Sequence, residues 1–429
     1  MKFRLVGKLD ESKQSLLKNT AMLYLLQFSS FFFSFITVPY LTRVLGPSNY
    51  AKIGVATNLM IYFQYLMDFG FLLYATAEVS RRRDDNAFIS SIFTAVCRAK
   101  FLFAVICFAV LLCLCGFINN YTDNTTLFLL YLAATVVNSF IPDYVYRGIE
   151  RMTTITVRTV CVKFFSTLMI FVCLKRSNQY ILVPLFTLLG NLGALIGVLI
   201  HLKKNVGVWF SPVKMSEVFR VIRQASTFFY SRIASAVYSS SNTLIMDFAD
   251  PTGVMTGYYT SADKLTVAAQ NAMSPISDSM YPYMVKNRDF KLIKKCLMVF
   301  MPIIIAGCTV IFIFAEPFCL LFFGQEYAGT APALRALMPV IVFTLPNYIL
   351  GFPTLGAMGL ARHANLSIIF ATCVHVIGLV TIYFTVGFSI VALALLTSFT
   401  TALTLTYRVV VVLRNWNKFK DPRGDYPND

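Results

Sequence analysis

Runs of apolar residues long enough to cross a bilayer follow one another along almost the whole of this 429-residue chain. A helix needs roughly 17 to 25 mainly apolar residues to span the hydrocarbon. Such runs lie near residues 19–41, 50–74, 88–117, 126–147, 154–174, 179–202, 222–247, 255–282, 293–323, 331–358, 364–386 and 388–413. They predict an all-α, polytopic membrane protein with about twelve transmembrane helices. With 57% hydrophobic and 13% charged residues, the chain is far too apolar for a soluble protein of this size, and no stretch is left for a separate soluble domain.

The net charge of +17 is distributed by side of the membrane rather than in a nucleic-acid patch. Counted from an inside N-terminus, the inner segments hold Lys2 to Lys18, Arg81 to Arg83, Arg147, Arg151, Arg158, Lys203, Lys204, Lys214, Arg220, Arg223, Lys286 to Lys295, Arg362 and the tail from Arg408. The outer side has only Arg43, Lys52, Lys175, Arg176 and Arg335. The positive-inside rule then places both termini in the cytoplasm, with anionic membrane lipids as partners. Arg98 and Lys100 are expected to snorkel to the surface, and the connection 201–224, with Trp209, to lie as an amphipathic segment at the interface. The polar first 18 residues predict no removable signal peptide. Ten scattered cysteines support neither a disulfide framework nor a metal site.

Two spans carry charge where lipid tolerates it least. Arg232, Ser235, Ser239 and Asn242 are spaced 3, 4, 3, and Asp263, Thr266, Gln270, Ser274 and Ser277 are spaced 3, 4, 4, 3, with Lys264, Asn271 and Asp278 beside them. Each set forms one stripe on a helix. A charge at the bilayer centre costs about 2.5 to 3.5 kcal/mol on the insertion scale, so the stripes must face protein or a wet cavity. The first span has its own stripe, Gln27, Ser30, Ser34 and Thr37, which maps onto Arg232 to Asn242 at an offset of 205; Pro142-Asp143-Tyr144 maps onto Pro346-Asn347-Tyr348, and Pro47 onto Pro251, at 204. This predicts two pseudo-symmetric six-helix lobes, 1–202 and 222–413, around a central cavity, with a linker at 203–221 and a cytoplasmic tail at 414–429.

Chemistry is sparse. There are three histidines, no Walker loop, no His-x-x-x-His pair and no nucleophile elbow, and the outer loops are short, so neither catalysis nor a cofactor is expected. Asp143 stands four residues before Arg147, the spacing of a helical ion pair, with substrate contact as the other reading.

Several stretches resemble bacterial polysaccharide flippases of the Wzx type: Val44-Leu45-Gly46-Pro47 with Tyr50, Asp68-Phe69-Gly70-Phe71, Tyr146-Arg147-Gly148-Ile149-Glu150-Arg151-Met152, Gly257-Tyr258-Tyr259 with Lys264-Leu265, and Phe323-Gly324-Gln325-Glu326-Tyr327. The resemblance implies the two-lobed fold also used by multidrug extruders. It further implies translocation of undecaprenyl-diphosphate-linked oligosaccharide units across the bacterial inner membrane, for O-antigen or related surface polysaccharide. The polysaccharide polymerase and chain-length regulator follow as candidate partners. On this reading Arg232, Lys264 and Arg147 are candidates for phosphate or acidic-sugar contact, and Gln27, Ser239, Asn242, Gln270 and Asn271 for sugar hydroxyls. Internal pairing with Asp68, Asp143, Asp247 or Asp263 is the competing role for the cations, and Asp68 is a candidate for proton coupling. A cation-coupled multidrug extruder of the same fold is the alternative, although a cavity for organic cations would favour carboxylates and aromatics over Arg and Lys.

Overall fold

In the computed structural model the described residues are 11–287 and 289–416; side chains at 230–239 and at a few other helical positions lie outside the description. The described chain is helical. Its helices are α1 (Glu11–Asp68), α2 (Phe71–Arg81), α3 (Asn86–Phe117), α4 (Asn119–Thr122), α5 (Thr125–Ser139), α6 (Asp143–Gly148), α7 (Met152–Cys173), α8 (Leu182–His201), α9 (Met215–Ala249), α10 (Val254–Asn287), α11 (Phe290–Ile313), α12 (Ala315–Phe323), α13 (Ala331–Ile349), α14 (Ala361–Thr385) and α15 (Ile390–Arg414).

Nine segments among the described residues are long and apolar enough to cross a membrane. Two features reconcile that number with the twelve expected. Helix α1 has 58 residues, and at about 1.5 Å per residue a straight rod of that length would run about 87 Å, against about 30 Å of hydrocarbon. It breaks at Gly46, whose φ of 70° and ψ of 171° only glycine adopts without strain, and Pro47 restarts the helix. Helices α9 and α10, at 35 and 34 residues, have ample length, and it is their polar stripes that dilute the hydropathy.

The helices group into two compact units. The first holds residues through Phe33, Tyr62–Leu174 and Ile181–Tyr230. Its core is built on Phe71, Ala75 and Val79, one face of α2 at four-residue spacing, packed with Ile92, Phe93 and Val96 of α3 and Tyr144 to Tyr146 of α6. The tight reversal from α1 to α2 puts Phe69 at φ 37° and Gly70 at φ 80°. A bulky residue at positive φ costs about 1 to 2 kcal/mol. Stacking of the Phe69 ring between Phe103 and Phe229, at 4.7 and 4.5 Å between centroids, offsets that cost.

The second unit holds Ser34–Ile61, Lys175–Tyr180 and the chain from Ser231. Ala315, Cys319 and Phe323 of α12 close against Leu334, Leu337 and Ile341 of α13 and against Tyr259 and Ala262 of α10. Helix α10 approaches the restart of α1 so closely that a Cβ at Gly257 would stand 2.2 Å from the Pro47 carbonyl oxygen.

The connection after α8 is a short π-helical turn followed by extended chain pinned to α3, its backbone satisfied by Ser90, Thr94 and Arg98, until α9 begins at Met215. The fold departs from two expectations. Arg98 is exposed and also donates to the Val213 carbonyl, whereas Lys100 is 4% exposed and does not snorkel. Arg408 belongs not to a solvated tail but to α15, where it is 7% exposed.

Candidate functional site

In the first unit charged side chains of α1 and α3, and of α6 and α7, form two ion pairs. Lys100 of α3 lies 3.4 Å from Asp68 at the end of α1, and Asp68 also accepts from the Gln64 amide at 2.9 Å. A further donation from Lys100 to the Ser139 carbonyl satisfies one of the carbonyls left open where α5 ends before Pro142. The Asp68-Phe69-Gly70-Phe71 motif thus acquires a division of labour: an ion pair, a stacked ring, a reversal and a core side chain.

In α6, Asp143 receives both arms of the Arg158 guanidinium, the longer contact being 3.1 Å, and Arg158 also donates to Thr159 Oγ1. The partner expected from spacing, Arg147, is not the one used. Asp143 and Arg147 share the six-residue helix α6, whereas Arg158 comes from α7 and presents its planar fork to the carboxylate in the bidentate geometry that arginine favours. Arg147 is left half-buried with its Nε lacking any hydrogen-bond partner. Lys163, midway along α7, is a further partly buried cation with no carboxylate within ion-pair reach among the described residues. It lies outside the polar stripes, and its one signal in the sequence is a lysine in the middle of a span. Gln27 is half-buried in the same unit.

In the second unit, Asn242 lies inside a closed network. Its amide nitrogen donates to Tyr259 Oη at 2.8 Å and Thr397 Oγ1 at 2.7 Å, and its oxygen meets His375 Nε2 at 2.9 Å. Asn242 is 4% exposed and His375 fully buried, so this network joins α9, α10, α14 and α15. Gln270 donates to Thr344 Oγ1 at 3.2 Å, and Ser277 to the Tyr348 carbonyl. Asn271 is exposed, while Asp247, Asp263 and Lys264 are half-buried. No ion pair joins Lys264 to a carboxylate among the described residues. The side chains of Arg232 and Ser239 lie outside the described residues.

Arg408 is a second buried cation that spacing does not single out. Its guanidinium donates to Ser367 Oγ at 2.9 Å and to the Asn347 and Ala364 carbonyls at 2.5 and 3.3 Å. It sits where α13 passes into the π-helical turn Leu350–Gly356, a break that carries Pro353 and frees backbone carbonyls. The only sequence signal is an arginine still inside an apolar run.

This architecture is that of polytopic helical membrane proteins. The structure is similar to a multidrug resistance MATE family transporter of the MOP superfamily, solved in an inward-facing conformation, with a TM-score of 0.70 at 16% identity over 92% of this chain and 96% of that one. It is also similar to the lipid II flippase MurJ, with a TM-score of 0.68 at 11% identity over 94% and 89%. The chain belongs to the polysaccharide biosynthesis protein family, whose model matches residues 16–288. In sequence it is 26% identical to the "putative O-antigen transporter" of Escherichia coli (strain K12) over 64% of this chain and 66% of that protein, and 24% identical to its namesake from Shigella dysenteriae over 77% and 83%. These relatives are transporters by name, in line with the expectation that the chain is not an enzyme.

Proposed function

We propose that the protein moves undecaprenyl-diphosphate-linked oligosaccharide units from the cytoplasmic to the periplasmic face of the bacterial inner membrane, with both termini cytoplasmic. Fold likeness alone does not choose between this and drug export, since the MATE transporter and the lipid II flippase match about equally well. Family membership and the O-antigen relatives tilt the choice. The observation that carries it is a set of cations within the helices, Arg147, Lys163 and Lys264, with no carboxylate at ion-pair distance among the described residues, Lys264 standing beside Asp263 in sequence. An unpaired cation within a span is costly, and a diphosphate is the group that relieves it.

The polyprenyl tail stays in lipid while the head group enters a polar cavity between lobes 1–202 and 222–413. There Arg147, Lys163, Arg232 and Lys264 take the diphosphate or acidic sugars. Gln27, Ser239, Gln270 and Asn271 bond hydroxyls, and Asn242 shapes the wall through its network. Asp68 and Asp143 hold Lys100 and Arg158. Access alternates by rocking of the lobes. The polymerase and chain-length regulator of the same polysaccharide are the proposed partners.

The test is the amount and sidedness of lipid-linked oligosaccharide after depletion. Complete units should accumulate on the cytoplasmic face, and Lys264→Ala and Arg147→Ala should fail to clear them while remaining folded at wild-type levels. Unchanged intermediates together with raised sensitivity to organic cations would transfer the protein to drug export.

A further inference from the structure

The extended chain after α8 lies along α3 as a strap. Trp209 N donates to Ser90 Oγ at 3.2 Å, Ser211 N to Thr94 Oγ1 at 2.9 Å, and Arg98 Nη1 to the Val213 carbonyl at 2.5 Å. The α3 partners are four residues apart and the strap residues two apart. Four helical residues rise about 6.0 Å and two extended residues about 6.6 Å, so the two repeats stay in step over three rungs. Val208 and Val213, 0% and 8% exposed, anchor the strap's inner side.

The exposed residues of the strap, of the π-helical turn before it and of the first turns of α9 after it have a different composition. Trp209, Phe210, Met215 and Phe219 are 37%, 52%, 48% and 59% exposed. Lys203, Lys204, Lys214, Arg220 and Arg223 are exposed among them, and the Lys203 ammonium sits 4.9 Å above the Trp209 ring. Glu217 is the single carboxylate between 203 and 223, so five cations less one anion leave a net +4. The loop before α3 adds three arginines and two aspartates, Arg81 to Asp85.

We infer that this strap is a docking surface for anionic phospholipid headgroups. Aromatic and methionine side chains mixed with lysines on a rigid surface suit the headgroup level, where rings enter the acyl boundary while ammonium groups meet phosphate. A zwitterionic lipid would satisfy the rings but not the net +4. The three-rung register holds Trp209 and Phe210 in place before lipid arrives, and Phe219 is held by α9, so little ordering cost remains to be met on binding. The surface is independent of the transport reading and does not require it.

Trp209 and Trp416 are the two tryptophans, so a Trp416→Phe background makes Trp209 a single reporter. The full-length protein would be reconstituted in phosphatidylcholine vesicles containing equal mole fractions of either brominated phosphatidylglycerol or brominated phosphatidylcholine. Quenching of Trp209 by the anionic lipid should exceed that by the zwitterionic one by about twofold or more. Lys204→Ala/Lys214→Ala, which alters two exposed lysines away from the ring, should abolish that excess while leaving quenching by brominated phosphatidylcholine unchanged. Equal quenching by the two lipids, no quenching by either, or an excess that survives loss of both lysines would each overturn the inference.

Discussion

Replacing Lys100 with methionine should destabilise the first unit far more than replacing Asp68 with asparagine. Lys100 is 4% exposed, and its ammonium has two partners, Asp68 at 3.4 Å and the Ser139 carbonyl. At 3.4 Å the Coulomb attraction is about 5 kcal/mol for an effective dielectric near 20, and desolvation cancels much of it. Lys100→Met leaves the Asp68 carboxylate with only Gln64 and the Ser139 carbonyl without its donor, which puts the loss at about 3 to 5 kcal/mol. Asp68→Asn keeps a polar partner for the ammonium and should cost about 1 to 3 kcal/mol. In the double variant no charge is left unpaired, so its loss should fall below the sum of the singles by about 1 to 3 kcal/mol. Unfolding in mixed micelles, followed by far-UV circular dichroism over increasing denaturing detergent, gives all four corners of the cycle. Additivity within about 0.5 kcal/mol would mean that the two side chains do not act as a pair.

Gly257→Ala should cost about 3 kcal/mol or more, because its Cβ would fall 2.2 Å from the Pro47 carbonyl oxygen and only backbone movement relieves that contact; a thermal midpoint within a few degrees of wild type would refute the packing described. Asn242→Ala removes three hydrogen bonds from the His375 network and should cost about 2 to 4 kcal/mol, whereas Lys264→Ala should leave stability nearly unchanged; the same detergent titration separates them. Arg158→Lys keeps the charge opposite Asp143 but loses the bidentate fork, a loss of about 1 to 2 kcal/mol that would be disproved by an unchanged midpoint.

Family-like motifs are the most legible part of this chain beyond its spans. Gly46-Pro47, Gly257 and Phe69-Gly70 all belong to stretches that resemble the flippases, and each marks a place where backbone approaches backbone or turns sharply. Spacing is a poorer guide to charges. Asp143 and Arg147 satisfy the i, i+4 rule, yet α6 is only six residues long and a better-shaped partner comes from α7. Lys100 and Arg408 stand towards the ends of apolar runs, where surface anchoring is the ordinary expectation; both are instead buried donors to backbone carbonyls.

What the sequence determined by itself is whatever the bilayer imposes on each segment separately. An apolar run of about 20 residues has one outcome in hydrocarbon, whichever segment comes next. Helicity, the number of spans and the polar stripes are local properties of this kind. Which cation meets which carboxylate, which carbonyl a broken helix leaves open, and whether the connection after α8 forms a helix or a strap depend on side chains brought together from distant parts of the chain. Only the tertiary structure decides them, because within the low-dielectric interior a few tenths of a nanometre separate a paired charge from an unpaired one.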